Sequence, residues 1–109
     1  MVEYVQVSTT TETKEDAEMM AKALVDRRIA GCVHIIGPIT SVYRWKGKTE
    51  KAEEWLCQIK TKRELYNEVE DAILEVHKYE TPEIVSAPII SGSKEYLQWL
   101  NCELKAREK

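Results

Sequence analysis

The run Ile39-Thr40-Ser41-Val42-Tyr43-Arg44-Trp45-Lys46-Gly47-Lys48 decides the fold. From Ile39 to Trp45 large and polar side chains alternate, the period-two signature of a strand with two unlike faces. Lys46-Gly47-Lys48 then interrupts it, and glycine supplies the backbone freedom that a tight reversal requires. Residues 53–61, Glu53 to Thr61, return as the partner strand, so the centre of the chain is a β-hairpin.

Outward from that hairpin the pattern changes period. Upstream, Ile29 to Ile36 reads as an apolar strand that Gly37-Pro38 interrupts, because proline donates no ladder hydrogen bond. Before it, Thr13 with Asp16 forms a capping box, and Ala17, Met20, Ala21, Leu24 and Val25 make a buried stripe at helical spacing. Arg27 and Arg28 suit the C-terminal end of this helix, where the dipole favours positive charge. Val2 to Thr10 is the first strand. Downstream, Thr61 with Glu64 reads as a second capping box, opening a helix whose buried face is Leu65, Val69, Ala72, Ile73 and Val76. His77-Lys78-Tyr79-Glu80-Thr81-Pro82-Glu83-Ile84 breaks it, Pro82 fixing the turn. Ile84 to Ile90 is the last strand, with Pro88 marking an edge. Ser93 caps a closing helix carrying Leu97, Leu100 and Leu104. The order is β-α-β-β-α-β plus a C-terminal helix, an α+β chain of the ferredoxin-like split βαβ pattern.

At 109 residues the chain predicts a single domain, 1–109. A domain this size buries only about two thirds of its unfolded surface alone, so packing against copies of itself would help. The net charge of −3 and pI near 5.5 argue against nucleic acid, whose binders carry a basic footprint. Lys46, Lys48 and Lys51 are interleaved with Glu50, Glu53 and Glu54, which reads as a mixed, solvated surface. Three cysteines, at 32, 57 and 102, form no C-x-x-C pair and leave an odd count, against a disulfide framework or a zinc knuckle. No basic-then-apolar leader opens the chain, and no apolar run approaches the roughly 20 residues that cross a bilayer. The expectation is a cytoplasmic protein with no membrane partner.

Cys32 and His34 form a C-x-H pair on one strand face, about 7 Å apart at their backbones. Thiolate with imidazole suits copper or zinc, although a cysteine amid Val33, Ile35 and Ile36 also reads as a small core hydrophobe. His77, Tyr79, Glu80 and Glu83 gather around Pro82, where the acids suit a cation; equally, His77 caps the helix and Tyr79 packs beneath the turn. Tyr43 and Trp45 share a strand face and, with Trp55, make an aromatic lining for a ligand or for a subunit contact. There is no G-x-S-x-G, no glycine-rich phosphate loop and no H-E-x-x-H. Cys32 lies in an apolar strand, which raises a thiol's pKa rather than activating it. No catalytic residues are assigned, and a binding protein is favoured over an enzyme.

These segments, together with Ala30-Gly31-Cys32-Val33 and Tyr96-Leu97-Gln98-Trp99-Leu100, taken in order over nearly the whole chain, resemble the CutA family of divalent-cation tolerance proteins. The stretch His77-Lys78-Tyr79-Glu80-Thr81-Pro82-Glu83 matches the family's H-P-Y-x-x-P-E signature, except that Lys78 replaces the first proline and implies a less rigid loop. Cys32 stands where the family commonly has a cysteine. His34 stands where it more often has a small polar residue such as Asn, so no role passes to it. The resemblance implies the same fold and a homotrimer in which each hairpin reaches its neighbour. It also implies a divalent metal or Cu(I) as ligand and a part in metal tolerance. Cys32, His34, His77, Glu80 and Glu83 are then the candidate metal ligands. Tyr43, Trp45 and Tyr79 are the candidate effector contacts, with Lys48 and Lys60 as anion contacts in an intersubunit cleft. Two alternatives stand beside this: a signalling module resembling the PII proteins, binding a small effector between subunits, and a structural trimer that scaffolds an unidentified protein partner.

Overall fold

The computed structural model describes residues 2–106. Strand β1 (Tyr4–Thr11) leads into helix α1 (Lys14–Asp26); β2 (Cys32–Trp45) and β3 (Lys48–Lys62) form the hairpin; then come helix α2 (Tyr66–Val76), β4 (Val85–Ile89) and helix α3 (Lys94–Glu103). The sheet is antiparallel, in the order β2-β3-β1-β4, so the expected α+β, ferredoxin-like arrangement holds. Pro88 lies in β4, an edge strand, where its missing donor costs no ladder bond on the outer side.

Alternation gives the sheet two unlike faces. Val5, Val7, Cys57, Ile59, Val33 and Ile35 point to the side covered by α1 and α2, packing with Ala17, Met20, Leu24, Val69 and Ile73. Tyr4 and Lys62, of the opposite parity, meet α3: the Tyr4 hydroxyl donates to the Leu97 carbonyl at 3.0 Å, and Leu65, Leu100 and Leu104 form a second small core. Ser93 caps α3 and Thr13 caps α1 as expected, each accepting from the backbone N–H three residues on.

Four local expectations need correction. Gly37-Pro38 does not end a strand: β2 runs through it, and three steps along β2 (Ile36 to Ile39) face two along β3 (Leu56 to Glu54), a bulge that bends the ribbon without inverting its faces. Thr61 is no helix cap. Its parity turns it inward, fully buried, where its hydroxyl donates to the Ile29 carbonyl at 2.7 Å, while Glu64 pairs with Lys62. Val25 and Val76 lie in the last turns of their helices and are largely exposed. Of the two arginines read at the C-terminal end of α1, Arg27 is its C-cap residue, but Arg28 directs its side chain away from that helix. At φ 60° its side chain swings to α3, donating to the carbonyls of Cys102 and Glu103 at 2.8 and 2.9 Å. The hairpin reversal is the two-residue Lys46-Gly47 turn, both at positive φ, the geometry that matches strand twist.

Candidate functional site

Before Trp55, residues 48–54 of β3 have no β1 neighbour and pair with β2 alone. On this projecting ribbon Ile39 pairs with Glu54, Tyr43 with Glu50 and Trp45 with Lys48, so Tyr43, Trp45 and Glu54 share one face. Opposite them stands the segment after α2. His77 leaves the helix in extended conformation and turns its ring back onto β1. Its Nδ1 accepts the Tyr79 backbone N–H at 3.1 Å, which leaves Nε2 to carry the proton and donate to the Thr10 carbonyl at 2.7 Å. The Tyr79 ring packs against the imidazole, centroids 4.8 Å apart.

Glu54 closes this arrangement. Its carboxylate is buried, at 7% residue exposure, and accepts the Thr10 hydroxyl at 3.3 Å and the Tyr79 phenol. Glu54, Thr10, His77 and Tyr79 therefore form a closed ring of contacts drawn from three separate segments. Burial, and then the hydrogen bond to Glu54, push the Tyr79 phenol far above its usual range. Among the described residues no cation pairs with Glu54. Above it opens a cleft of about 780 Å³, walled by Tyr43 and Trp45 on one side and by Tyr79, Glu80 and Glu83 on the other. Lys78, where the family signature has proline, ties the loop to α1 instead: its ammonium lies 3.0 Å from Asp16 Oδ1. That hydrogen bond holds the Asp16 carboxyl below its usual value, against the opposing effect of burial.

Glu54 is the residue that the sequence reading missed, having placed it on a solvated Lys/Glu surface. The available signal was parity: Glu54 alternates in step with Leu56, and Glu53 does not. Trp55 also needs correction. It lies on the opposite face from Tyr43 and Trp45, packed beside the main core and so close to Gly37 that a Cβ there would stand 2.5 Å from its ring.

Cys32 and His34 lie on the same sheet face as the cleft but near the other end of β2. Their Sγ and Nε2 atoms are 3.6 Å apart, His34 exposed and Cys32 half-buried. The Tyr96 phenol contacts the Cys32 thiol; burial first, and then that thiol, raise its pKa. Lys60 stands directly across from Cys32. Lys48 is at the hairpin tip, twelve positions away on β3, roughly 40 Å at strand rise, so one subunit cannot bring the two lysines together. Nor does the chain gather the five candidate ligands: among the described residues no three of His, Cys, Asp and Glu are placed to hold one metal ion. Both nitrogens of His77 are already engaged. Cys57 is enclosed in the core, where burial pushes its thiol up to about 11.

Residues 5–103 match the family model described as "CutA1 divalent ion tolerance protein". The chain belongs to the CutA1 family. The Thermus thermophilus divalent-cation tolerance protein CutA is 41% identical over 91 residues, covering 84% of this chain and 88% of that one. Human Protein CutA is also 41% identical over 91 residues, but the chain spans only 51% of its length. The structure of the Archaeoglobus fulgidus CutA, described as periplasmic, superposes with a TM-score of 0.91 at 37% identity, covering 94% of this chain and 99% of that one. Among the described residues, no helix is long and apolar enough to cross a membrane.

Proposed function

We propose that this CutA1 chain is a cytoplasmic, single-domain homotrimer that binds divalent metal ions or Cu(I) and serves metal tolerance as a binding protein rather than an enzyme. The observation that carries the metal reading is the Cys32–His34 pair. A tetrahedral ion held at about 2.3 Å from sulfur and about 2.0–2.1 Å from nitrogen separates those two atoms by roughly 3.5 Å, and Sγ and Nε2 stand 3.6 Å apart. Two ligands leave the coordination incomplete, and subunits related by symmetry would supply more. Glu80 and Glu83 at the cleft rim are the oxygen ligands a harder ion would take.

The trimer reading rests on the hairpin. Its outer half is a two-stranded ribbon, marginal in water unless it packs on something, and it carries Val42, Tyr43 and Trp45, all exposed in one subunit. Sedimentation equilibrium should find a trimer at micromolar concentration; a monomer there would defeat this reading. The metal test is competition of each variant against a Cu(I) chelator under reducing conditions. Cys32→Ser should weaken Cu(I) binding strongly and His34→Ala less so, both more than His77→Ala, whose nitrogens are occupied. Binding should fall on acidification, because thiol and imidazole must lose protons to ligate. Equal affinity in the parent and Cys32→Ser would overturn the site. A second reading, a module that binds a small effector, is favoured by one feature: the cleft above Glu54.

A further inference from the structure

We infer that the Tyr96 phenol is a positioning residue for the Cys32–His34 metal pair: its hydroxyl donates to the Cys32 sulfur and holds that sulfur in place as a ligand. The inference rests on the metal reading of the pair and adds to it a residue from α3.

The sulfur is the first reason. Cys32 Sγ is met from two elements, by His34 Nε2 at 3.6 Å along its own strand and by the Tyr96 hydroxyl from α3. A metal-bound thiolate has lost its proton and can only accept, whereas a phenol can donate. Ligation therefore fixes the direction of the Tyr96–Cys32 hydrogen bond. Bonds of this kind orient a ligating atom and tune its electron donation. The second reason is how α3 is seated. Gly31, next to Cys32, lies so close to Leu100 that a Cβ there would overlap the leucine side chain. Leu100 is fully buried, and Tyr96 precedes it by one helical turn on the same face. That close approach brings the phenol onto the start of β2. The third is rigidity. The Ser93 hydroxyl accepts the Tyr96 backbone N–H at 3.2 Å, and the Tyr96 ring leans on Trp99, centroids 5.6 Å apart. The Tyr4 hydroxyl and the Arg28 guanidinium donate to carbonyls further along α3. A donor fixed on a helix positions a ligand more precisely than one on a loop. None of these contacts involves the outer hairpin, so they persist when Tyr43 and Trp45 pack against a neighbouring subunit.

The test combines Co(II) absorption with competition for Cu(I) against a chelator, on the full chain under reducing conditions. In the parent, Co(II) should give a sulfur-to-metal charge-transfer band in the near ultraviolet, and Cys32→Ser should abolish it. Tyr96→Phe keeps the ring against Trp99 and removes only the hydroxyl. Its band should move to longer wavelength, because a thiolate without the hydrogen bond gives up charge more readily. Its Cu(I) affinity should fall by roughly tenfold or more, the usual cost of losing a partner behind a metal ligand. The melting temperature of the metal-free variant should stay close to the parent's, as expected of a hydroxyl that acts through the sulfur and not through the fold. An unmoved band in Tyr96→Phe, whatever its melting temperature, would overturn the inference and leave the Cys32–His34 site standing. Absence of the band in the parent, or its survival in Cys32→Ser, would remove the site and the inference together.

Discussion

His77→Ala should destabilise the fold by about 2–4 kcal/mol, and it probes whether the ring of contacts behind the cleft is real. The substitution deletes the bond to the Thr10 carbonyl at 2.7 Å and the one from the Tyr79 N–H at 3.1 Å. Each contributes about 0.5–1.5 kcal/mol net, and the stranded carbonyl and amide add to that if they stay dry. Loss of the ring packing on Tyr79, 4.8 Å away, adds about 0.5–1.5 kcal/mol. A small pocket of about 20 Å³ beside His77 and Tyr79 would let water into the vacated space, which keeps the total from rising further. For a domain of this size the shift is roughly 10–25 °C in melting temperature.

The assay is urea unfolding at fixed protein concentration, since assembly would make stability concentration-dependent, paired with amide hydrogen exchange at Tyr79. Exchange there should accelerate more than in the β1–β3 ladder, because the loop opens before the sheet. His77→Gln should restore part of the loss: its amide can donate to Thr10 and accept from Tyr79 with the same polarity. A cost below about 0.5 kcal/mol with an unchanged Tyr79 amide would refute the clamp. A Gln variant no better than Ala would show that ring packing, not hydrogen bonding, is what His77 contributes.

Two further outcomes test the core. The Cys57 thiol, raised by burial from 9.0 to about 11, keeps its proton in the fold where the unfolded chain has released it. Stability is therefore whole below pH 9 and falls between about pH 9 and 11, by at most about 1.4 kcal/mol per unit. Denaturant midpoints across that window should lose this slope in Cys57→Ala, and identical slopes would contradict it. Thr61→Val should cost about 1–3 kcal/mol, because the buried Ile29 carbonyl loses a donor at 2.7 Å; unfolding matching the parent's would mean that the carbonyl finds another partner.

Features that depend on a few neighbouring residues were readable in the chain. Thr13 and Ser93 cap their helices because a cap needs only the next turn. The same logic misread Thr61, whose T-x-x-E spacing is identical to a capping box. Strand parity, set by Val5 and Cys57 and not by Glu64, decides that it points inward. Val25 and Val76 fit their helical stripes, yet the helices end past the surface they cover. Gly37-Pro38 looked like a break because proline cannot donate; a bulge accommodates it.

The cleft was hidden for a different reason. Its members lie at positions 10, 43–45, 54 and 77–83, and no period or motif joins them until the sheet register is fixed. Glu54 and Glu53 are alike in sequence, and only the pairing of Ile39 with Glu54 puts one against Tyr79 and the other on the far face. Thr10 then has a double part: its hydroxyl donates to Glu54 while its carbonyl receives His77. The strand that completes the sheet thus holds both ends of the ring that shapes the cleft. It follows that Glu54, Tyr79 and His77 should behave as one unit: the double substitution Glu54→Ala with His77→Ala should cost less than the sum of the singles, because removing either partner already loosens Tyr79. Additive costs would mean that the carboxylate and the imidazole act on Tyr79 independently, and the ring would be a proximity without coupling.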